Sequence, residues 1–146
     1  MTHSENQKPE RDGYTLLGFD FGTSKIGIAV GHTVTGSATA LETLRWREGK
    51  PDWDNIGRLI DTWQPQALVV GIPYLQDGNE EEWAPRIHRF ARQLHGRYHL
   101  QVYKVDEQLT SMEARSRLGL KTSSREIVDA MAAKLILETW LSEQHQ

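Results

Sequence analysis

Three carboxylates occupy positions where a charged side chain is unexpected. Asp20 lies inside the apolar, glycine-punctuated stretch GFDFGTSKIGIAVG, Glu107 follows the strand-like stretch HLQVYKV, and Asp129 lies on a helix face that otherwise packs inward. Three converging carboxylates, without cysteine or clustered histidine, suit hard, oxygen-preferring cations such as Mg²⁺ or Mn²⁺. Ions held in this way activate water and stabilise a phosphoryl leaving group. The pattern therefore predicts a divalent-metal site in which Asp20, Glu107 and Asp129 are both the metal ligands and the catalytic residues.

Each carboxylate also has a purely structural interpretation. Asp20 could belong to a solvated strand face, although the glycines that follow it leave the nearby backbone open to close approach. Glu107 could be a solvated turn residue beside Asp106. Asp129 could form an ion pair with Arg125, one helical turn earlier. The metal-site prediction thus depends on all three residues converging in the fold.

The composition indicates one globular domain. The chain has 146 residues, of which 38% are hydrophobic and 25% charged, and it contains no cysteine. Residues 1–13 are polar and lack the apolar segment of a secretory signal, so we expect a disordered tail followed by one domain over 14–146. There is no apolar run of roughly 18 residues, which argues against a membrane span. A cytoplasmic location is expected and agrees with the absence of cysteine.

The charge distribution is uneven. The net charge of −3 argues mildly against nucleic acid, but residues 86–125 contain nine basic and three acidic side chains, a local excess of six. This excess could reflect solvated helix faces, or it could form a phosphate-binding surface.

The hydrophobic periodicity predicts the element order βββαβαβαα. The expected strands are 14–21, 25–31, 37–44, 67–72 and 99–105, and the expected helices are 52–63, 80–95, one beginning at the cap residue Thr110, and 124–141. A hairpin-built start followed by alternating helices and strands implies an α/β fold, a mixed sheet with helices on its faces.

Two local features qualify this assignment. In the last helix a solvated stripe is expected at Glu126, Ala130, Lys134 and Glu138, and Asp129 lies about 120° from the middle of that stripe. We expect Gly96 to break the preceding helix, which separates two histidines four residues apart and argues against a zinc pair there.

Four ordered motifs resemble those of a known family. DFGTSKIGIAVG, VVGIPYLQDG, VDEQLTS and DAMAAKLILETWL are similar to the motifs of the YqgF family, also called RuvX, a family of Holliday junction resolvase-like proteins named as pre-16S rRNA nucleases. The resemblance covers about residues 14–141. It implies a ribonuclease H-like fold, with three antiparallel strands followed by parallel strands, and a divalent-metal nuclease site.

This sequence matches the acidic positions of the family motifs and differs from the family at two other positions. Asp20, Glu107 and Asp129 match the three acidic positions of the family motifs. Lys25 and Gln108 replace arginines that are usual in the family. A lysine keeps the charge but loses the bidentate fork, and the glutamine removes one expected phosphate contact or ion-pair partner.

Four basic residues are the candidate nucleic-acid ligands. They are Lys25, Arg115, Lys121 and Arg125. Lys121 and Arg125 flank the start of the helix that carries Asp129, where backbone amides also favour phosphate. The implied partners are precursor 16S rRNA, with branched DNA as the alternative, and the ribosome or its precursors.

Two other functions compete with a nuclease. The stretch DFGTS looks like the first phosphate motif of actin-like sugar kinases and chaperone ATPases, but those proteins use two such domains, and a Walker-type loop is absent. A non-catalytic RNA- or protein-binding factor could keep the fold and act through its basic helices. Metal-dependent cleavage that disappears on substitution of Asp20 would exclude this second alternative.

Overall fold

The computed structural model describes residues 13–22, 24–72, 80–106 and 125–144, and gives the backbone alone at 80–84, 106 and 125–129. Within these ranges the chain forms five strands and three helices. The strands are β1 (Thr15–Phe21), β2 (Lys25–His32), β3 (Ser37–Arg45), β4 (Ala67–Ile72) and β5 (Gln101–Asp106), and the helices are α1 (Trp53–Trp63), α2 (Glu80–Tyr98) and α3 (Arg125–Glu143). The predicted tail, apart from Gly13, and the helix expected at Thr110 lie outside the described residues.

All five strands join one mixed sheet in the order β3-β2-β1-β4-β5. The first three strands are antiparallel, whereas β4 pairs parallel with β1 and β5 pairs parallel with β4. The carboxyl ends of β1, β4 and β5 therefore meet at one edge of the sheet. Because β2 runs the other way, its first residues lie at this same edge. We call it the carboxyl edge.

Helices cover both faces of the sheet, which confirms the predicted fold class. On one face the β1 side chains Leu17, Phe19 and Phe21 pack with buried residues of α1 and α2. On the other face Leu16 packs against buried residues of α3, including Leu137. The alternation of β1 side chains between two apolar layers explains why this strand is almost continuously apolar.

Strands β1 and β2 form an antiparallel hairpin, in agreement with the hairpin-built start predicted from the sequence. Phe21 pairs with Ile26, and the amide of Gly22 donates a hydrogen bond to the carbonyl of Lys25 at 2.8 Å. A Cβ at Gly22 would lie 2.8 Å from that same carbonyl oxygen, so only glycine fits this position without a shift.

Helix α3 approaches β1 unusually closely at Gly18. A Cβ on Gly18 would lie 2.5 Å from Cγ of Leu137 and 3.2 Å from the carbonyl oxygen of Ala133. The absent side chain at Gly18 thus sets the distance between the helix and the central strand.

The sequence prediction for α2 was wrong at its end. The helix continues through Gly96 to Tyr98, and it stops at His99, which has a positive φ of 57°. The amide of His99 donates to the carbonyl of His95 at 2.9 Å, so a left-handed residue at the C-terminus ends the helix. Strand β5 consequently starts at Gln101 rather than at His99.

The predicted solvated stripe of α3 was also wrong in part. Ala130 is only 6% exposed, and Lys134 and Glu138 are half-buried. Helix α3 contacts all five strands. More of its surface is therefore buried than the hydrophobic periodicity of its own sequence indicates. No helix in the described part of the chain is long and apolar enough to cross a membrane.

Candidate metal and nucleic-acid site

Asp20 lies at the carboxyl edge on the central strand. It is half-buried and points to the α3 face, the face that also carries Leu16 and Gly18. Its partner on β2 is Gly27 and its partner on β4 is Gly71, so neither neighbouring strand places a side chain beside it on this face. The two strand positions paired with Asp20 thus carry no side chain, although the sheet around them is otherwise tightly packed.

The packing of α3 fixes which helix residues lie level with Asp20. Leu141 and Leu137 approach Gly31, the partner of Leu16, while Leu137 and Ala133 approach Gly18. Helix residue numbers thus fall as β1 residue numbers rise, so α3 runs antiparallel to β1. Two strand residues span about 6.6 Å and four helix residues about 6 Å, so this pairing of positions changes little along the strand. Extended by one more helical turn, the same spacing would bring backbone position 129 level with Asp20.

Glu107 lies outside the described residues, immediately after the last residue of β5. The described strand reaches the carboxyl edge, where Gly71 of β4 pairs with both Asp20 and Val105. Val105 is buried in the layer between the sheet and α3. With neighbouring strands about 4.8 Å apart, Val105 lies roughly 10 Å from Asp20 across the sheet.

Lys25 lies at the carboxyl edge on the same face as Asp20. Asp20 pairs with Gly27, so Lys25 is its diagonal neighbour on β2, about 7–8 Å away. Lys25 itself pairs with Arg45, the last residue of β3, which is exposed. Arg45 was not predicted from the sequence. Strand alternation from the buried Leu44 places Arg45 on this face, but only the strand register puts it beside Lys25.

The other predicted nucleic-acid ligands are only partly placed. Arg125 is the first residue of α3, and its side chain is not described. Arg115 and Lys121 lie outside the described residues. Among the side chains that the structure does describe, no group of three or more acidic or histidine residues gathers to hold a metal ion. Two of the three predicted ligands, Glu107 and Asp129, are not among those side chains.

A second cluster of basic residues lies on the opposite face of the sheet, and sequence reasoning did not identify it. Arg86, Arg89 and Arg97 of α2 join Lys50 around a cavity of about 430 Å³. The charge excess over 86–125 was a partial signal, but the tryptophans that complete this cavity come from other segments.

Solved structures identify the class of the fold. The chain resembles a Thermus thermophilus RuvC in complex with a Holliday junction substrate, with a TM-score of 0.54 and 19% identity over 90% of this chain and 95% of that chain. It also resembles a fowlpox virus resolvase in complex with Holliday junction DNA, with a TM-score of 0.52 and 10% identity over 90% of this chain and 99% of that chain. The protein thus has the ribonuclease H-like fold of the junction resolvases.

Sequence comparison identifies the family. A family model described as RuvX, Holliday junction resolvase, matches residues 14–143. A Nitrosococcus oceani protein named "Putative pre-16S rRNA nuclease" is 50% identical over 88% of this chain and 87% of its own length, and an Aeromonas salmonicida protein of the same name is 44% identical over 90% and 96%. The chain belongs to the RuvX family.

Proposed function

We propose that this protein is a divalent-metal-dependent endonuclease that processes precursor 16S rRNA. The observation that carries the proposal is the position of Asp20, half-buried at the carboxyl edge of the central strand between two glycines. Membership of the RuvX family and the names of its curated relatives support the reaction class and the RNA substrate.

The proposed ligand set is Asp20, Glu107 and Asp129. The contacts of α3 with Gly18 and Gly31, extended by one turn, would bring position 129 level with Asp20. Strand alternation beyond Val105 would carry residue 107 to the same face. The glycines beside Asp20 leave room for a cation, and a donor set made only of carboxylate oxygens fits Mg²⁺ or Mn²⁺. The bound ions would supply an activated water and stabilise the leaving oxygen.

The basic residues at this edge would orient the substrate. Lys25 is the diagonal neighbour of Asp20 on the same sheet face, and Arg45 pairs with Lys25 one strand further out. Arg125 begins the helix that carries Asp129. Phosphate contacts of this kind fix the register of a nucleic acid but read little sequence. This arrangement would hold a scissile phosphate next to the carboxylates, and it would leave substrate choice to the shape of the RNA.

Substitution of Asp20 tests the proposal. We expect Asp20→Asn to lower cleavage of a precursor 16S rRNA fragment in Mg²⁺ or Mn²⁺ by more than about 100-fold, because loss of a mere supporting residue around a metal already costs 10–100-fold. Asp61→Asn, the same change at an exposed acid of α1, is the matched control and should cleave normally. Thermal unfolding of both variants should stay close to that of the wild type.

Three outcomes would contradict parts of the proposal. Full cleavage by Asp20→Asn would remove its catalytic role, and a much lower melting temperature would make Asp20 a structural residue. Cleavage of a four-way DNA junction in preference to the rRNA fragment, in the same assay, would favour the resolvase activity for which the family model is named.

A further inference from the structure

The cavity beside α2 has the composition of a phosphate-binding cleft. It has a volume of about 430 Å³, and four cationic residues line it, Lys50, Arg86, Arg89 and Arg97, whereas no acidic side chain that the structure describes does so. The remaining lining residues are Phe21, Trp46, Gly49, Pro51, Trp53, Phe90 and Gln93. We call this the α2 cleft.

Two of its arginines are held against aromatic rings. The guanidinium of Arg86 lies 5.1 Å from the ring centre of Trp46, and that of Arg97 lies 4.1 Å from the ring centre of Trp53. Trp53 in turn stacks on Phe90 at 5.6 Å. A guanidinium that rests on a ring face keeps its N–H donors in its own plane, and this planar fork suits bidentate contact with a phosphate.

Three described acidic residues next to Lys50 and Trp53 line a neighbouring cavity. Glu48, Asp52 and Asp54 line that second cavity. Asp52 is buried, accepts a hydrogen bond from the amide of Asn55 as the cap of α1, and lies 3.8 Å from Arg47. Arg47 thus accompanies Asp52 in the neighbouring cavity, and the described charged side chains that line the α2 cleft itself are all basic.

The position of the α2 cleft connects it to the proposed active site. Phe21, which lines it, is the last residue of β1 and directly follows Asp20, and Trp46 directly follows β3. The cleft thus opens at the carboxyl edge, but on the α1–α2 face of the sheet, opposite the face to which Asp20 points. A chain of phosphates that passes around this edge could contact both places.

We propose that the α2 cleft binds the backbone of single-stranded nucleic acid next to the cleaved segment. This inference rests on the proposed nuclease function for the identity of its ligand. Single strands bend readily around an edge, and positively charged grooves track their backbone, whereas a stiff duplex does not enter a cavity of one-nucleotide size.

Binding of a fluorescently labelled 12-nucleotide uridine RNA, followed by anisotropy in EDTA, tests the inference without cleavage. We expect the double variant Arg86→Ala/Arg97→Ala to bind this RNA about tenfold more weakly, or weaker still, than the wild type does. The slope of log affinity against log salt should become shallower by about 1.4, since two single-strand phosphate contacts are lost. Arg86→Lys with Arg97→Lys should restore part of the affinity, because charge returns without the fork.

Arg92→Ala is the matched control. Arg92 is an exposed arginine on the same helix, but it lines a different cavity, so its loss should change affinity by less than twofold. A 12-base-pair RNA duplex should bind the double alanine variant and the wild type alike. Binding of the single strand that is unchanged, or lowered no more than in Arg92→Ala, would overturn the inference. That result leaves the cleavage test at Asp20 untouched, so the two proposals can fail separately.

Discussion

Single side chains on α2 respond to the charges around them, and His88 shows this most clearly. The ammonium of Lys104 on β5 lies 3.0 Å from Nδ1 of His88 and donates to it, which requires a neutral imidazole. Partial burial, followed by the charges of Lys104 and Arg92, lowers the pKa of His88 from its ordinary value of 6.5. This pair ties the second helix to the last strand of the sheet.

We expect Lys104→Gln to raise the pKa of His88 toward 6.5, because one nearby positive charge and the donor to Nδ1 are lost. An NMR titration of the His88 ring measures this directly, with Lys134→Gln on the opposite face of the sheet as the control. The neutral form is favoured in the folded state, so its contribution is present above pH 6.5 and is lost as the pH falls below that value. An unchanged His88 titration in Lys104→Gln would contradict the assigned contact.

The residues of the candidate site differ in how far the sequence could predict them. Asp20 could be proposed as a site residue because a charge in an apolar strand is conspicuous, and the structure pairs it with Gly27 and Gly71. Arg45 and the α2 cleft were missed for a physical reason. Their neighbours are set by strand register and by contacts between segments far apart in the chain, which local periodicity does not report.

At the scale of elements, α3 packs closely against β1 at Gly18. We expect Gly18→Ala to destabilise the fold by about 1–3 kcal/mol, since its Cβ would lie 2.5 Å from Cγ of Leu137. Chemical denaturation followed by circular dichroism measures the free energy of unfolding.

Gly96→Ala is the matched substitution on α2, where a Cβ meets nothing within 4 Å. Alanine is the better helix former, so this variant should gain about 0.5–1 kcal/mol. If both variants moved stability in the same direction, the close approach of α3 at Gly18 would not be the controlling contact.

The elements themselves were largely predictable, and the exceptions have identifiable causes. Strand β4 was predicted at its observed limits because a short apolar run followed by Pro73 allows few alternatives. The end of α2 was not predicted correctly. The sequence indicated a break at Gly96, whereas the helix ends where His99 adopts a left-handed conformation. The burial of Ala130 was missed because contacts of α3 with several strands are not encoded in its own pattern.

At the scale of the whole molecule, a protein with net charge −3 must bind an anion through a local surface. We expect three to five phosphate contacts, which corresponds to a log–log salt slope of about −2 to −4.5. Charge reversal at Lys121 and Arg125 together should weaken precursor rRNA and branched DNA about equally and leave Mn²⁺ binding largely intact. Filter binding across a salt series, with calorimetry for the metal, measures both effects. Salt-insensitive binding, or an unchanged double variant, would move the contact surface elsewhere and favour a protein partner.

The central place of β1 in the sheet has a dynamic consequence. This strand is hydrogen-bonded to β2 on one side and β4 on the other, and apolar layers cover both of its faces. Its amide protons therefore exchange with solvent only when the sheet itself comes apart, rather than through local fraying. The entropic cost of ordering the backbone at Asp20 is about 1–2 kcal/mol per residue. This cost arises during folding and does not arise again when a ligand binds. A ligand that arrives at this carboxylate meets a group whose position is already set.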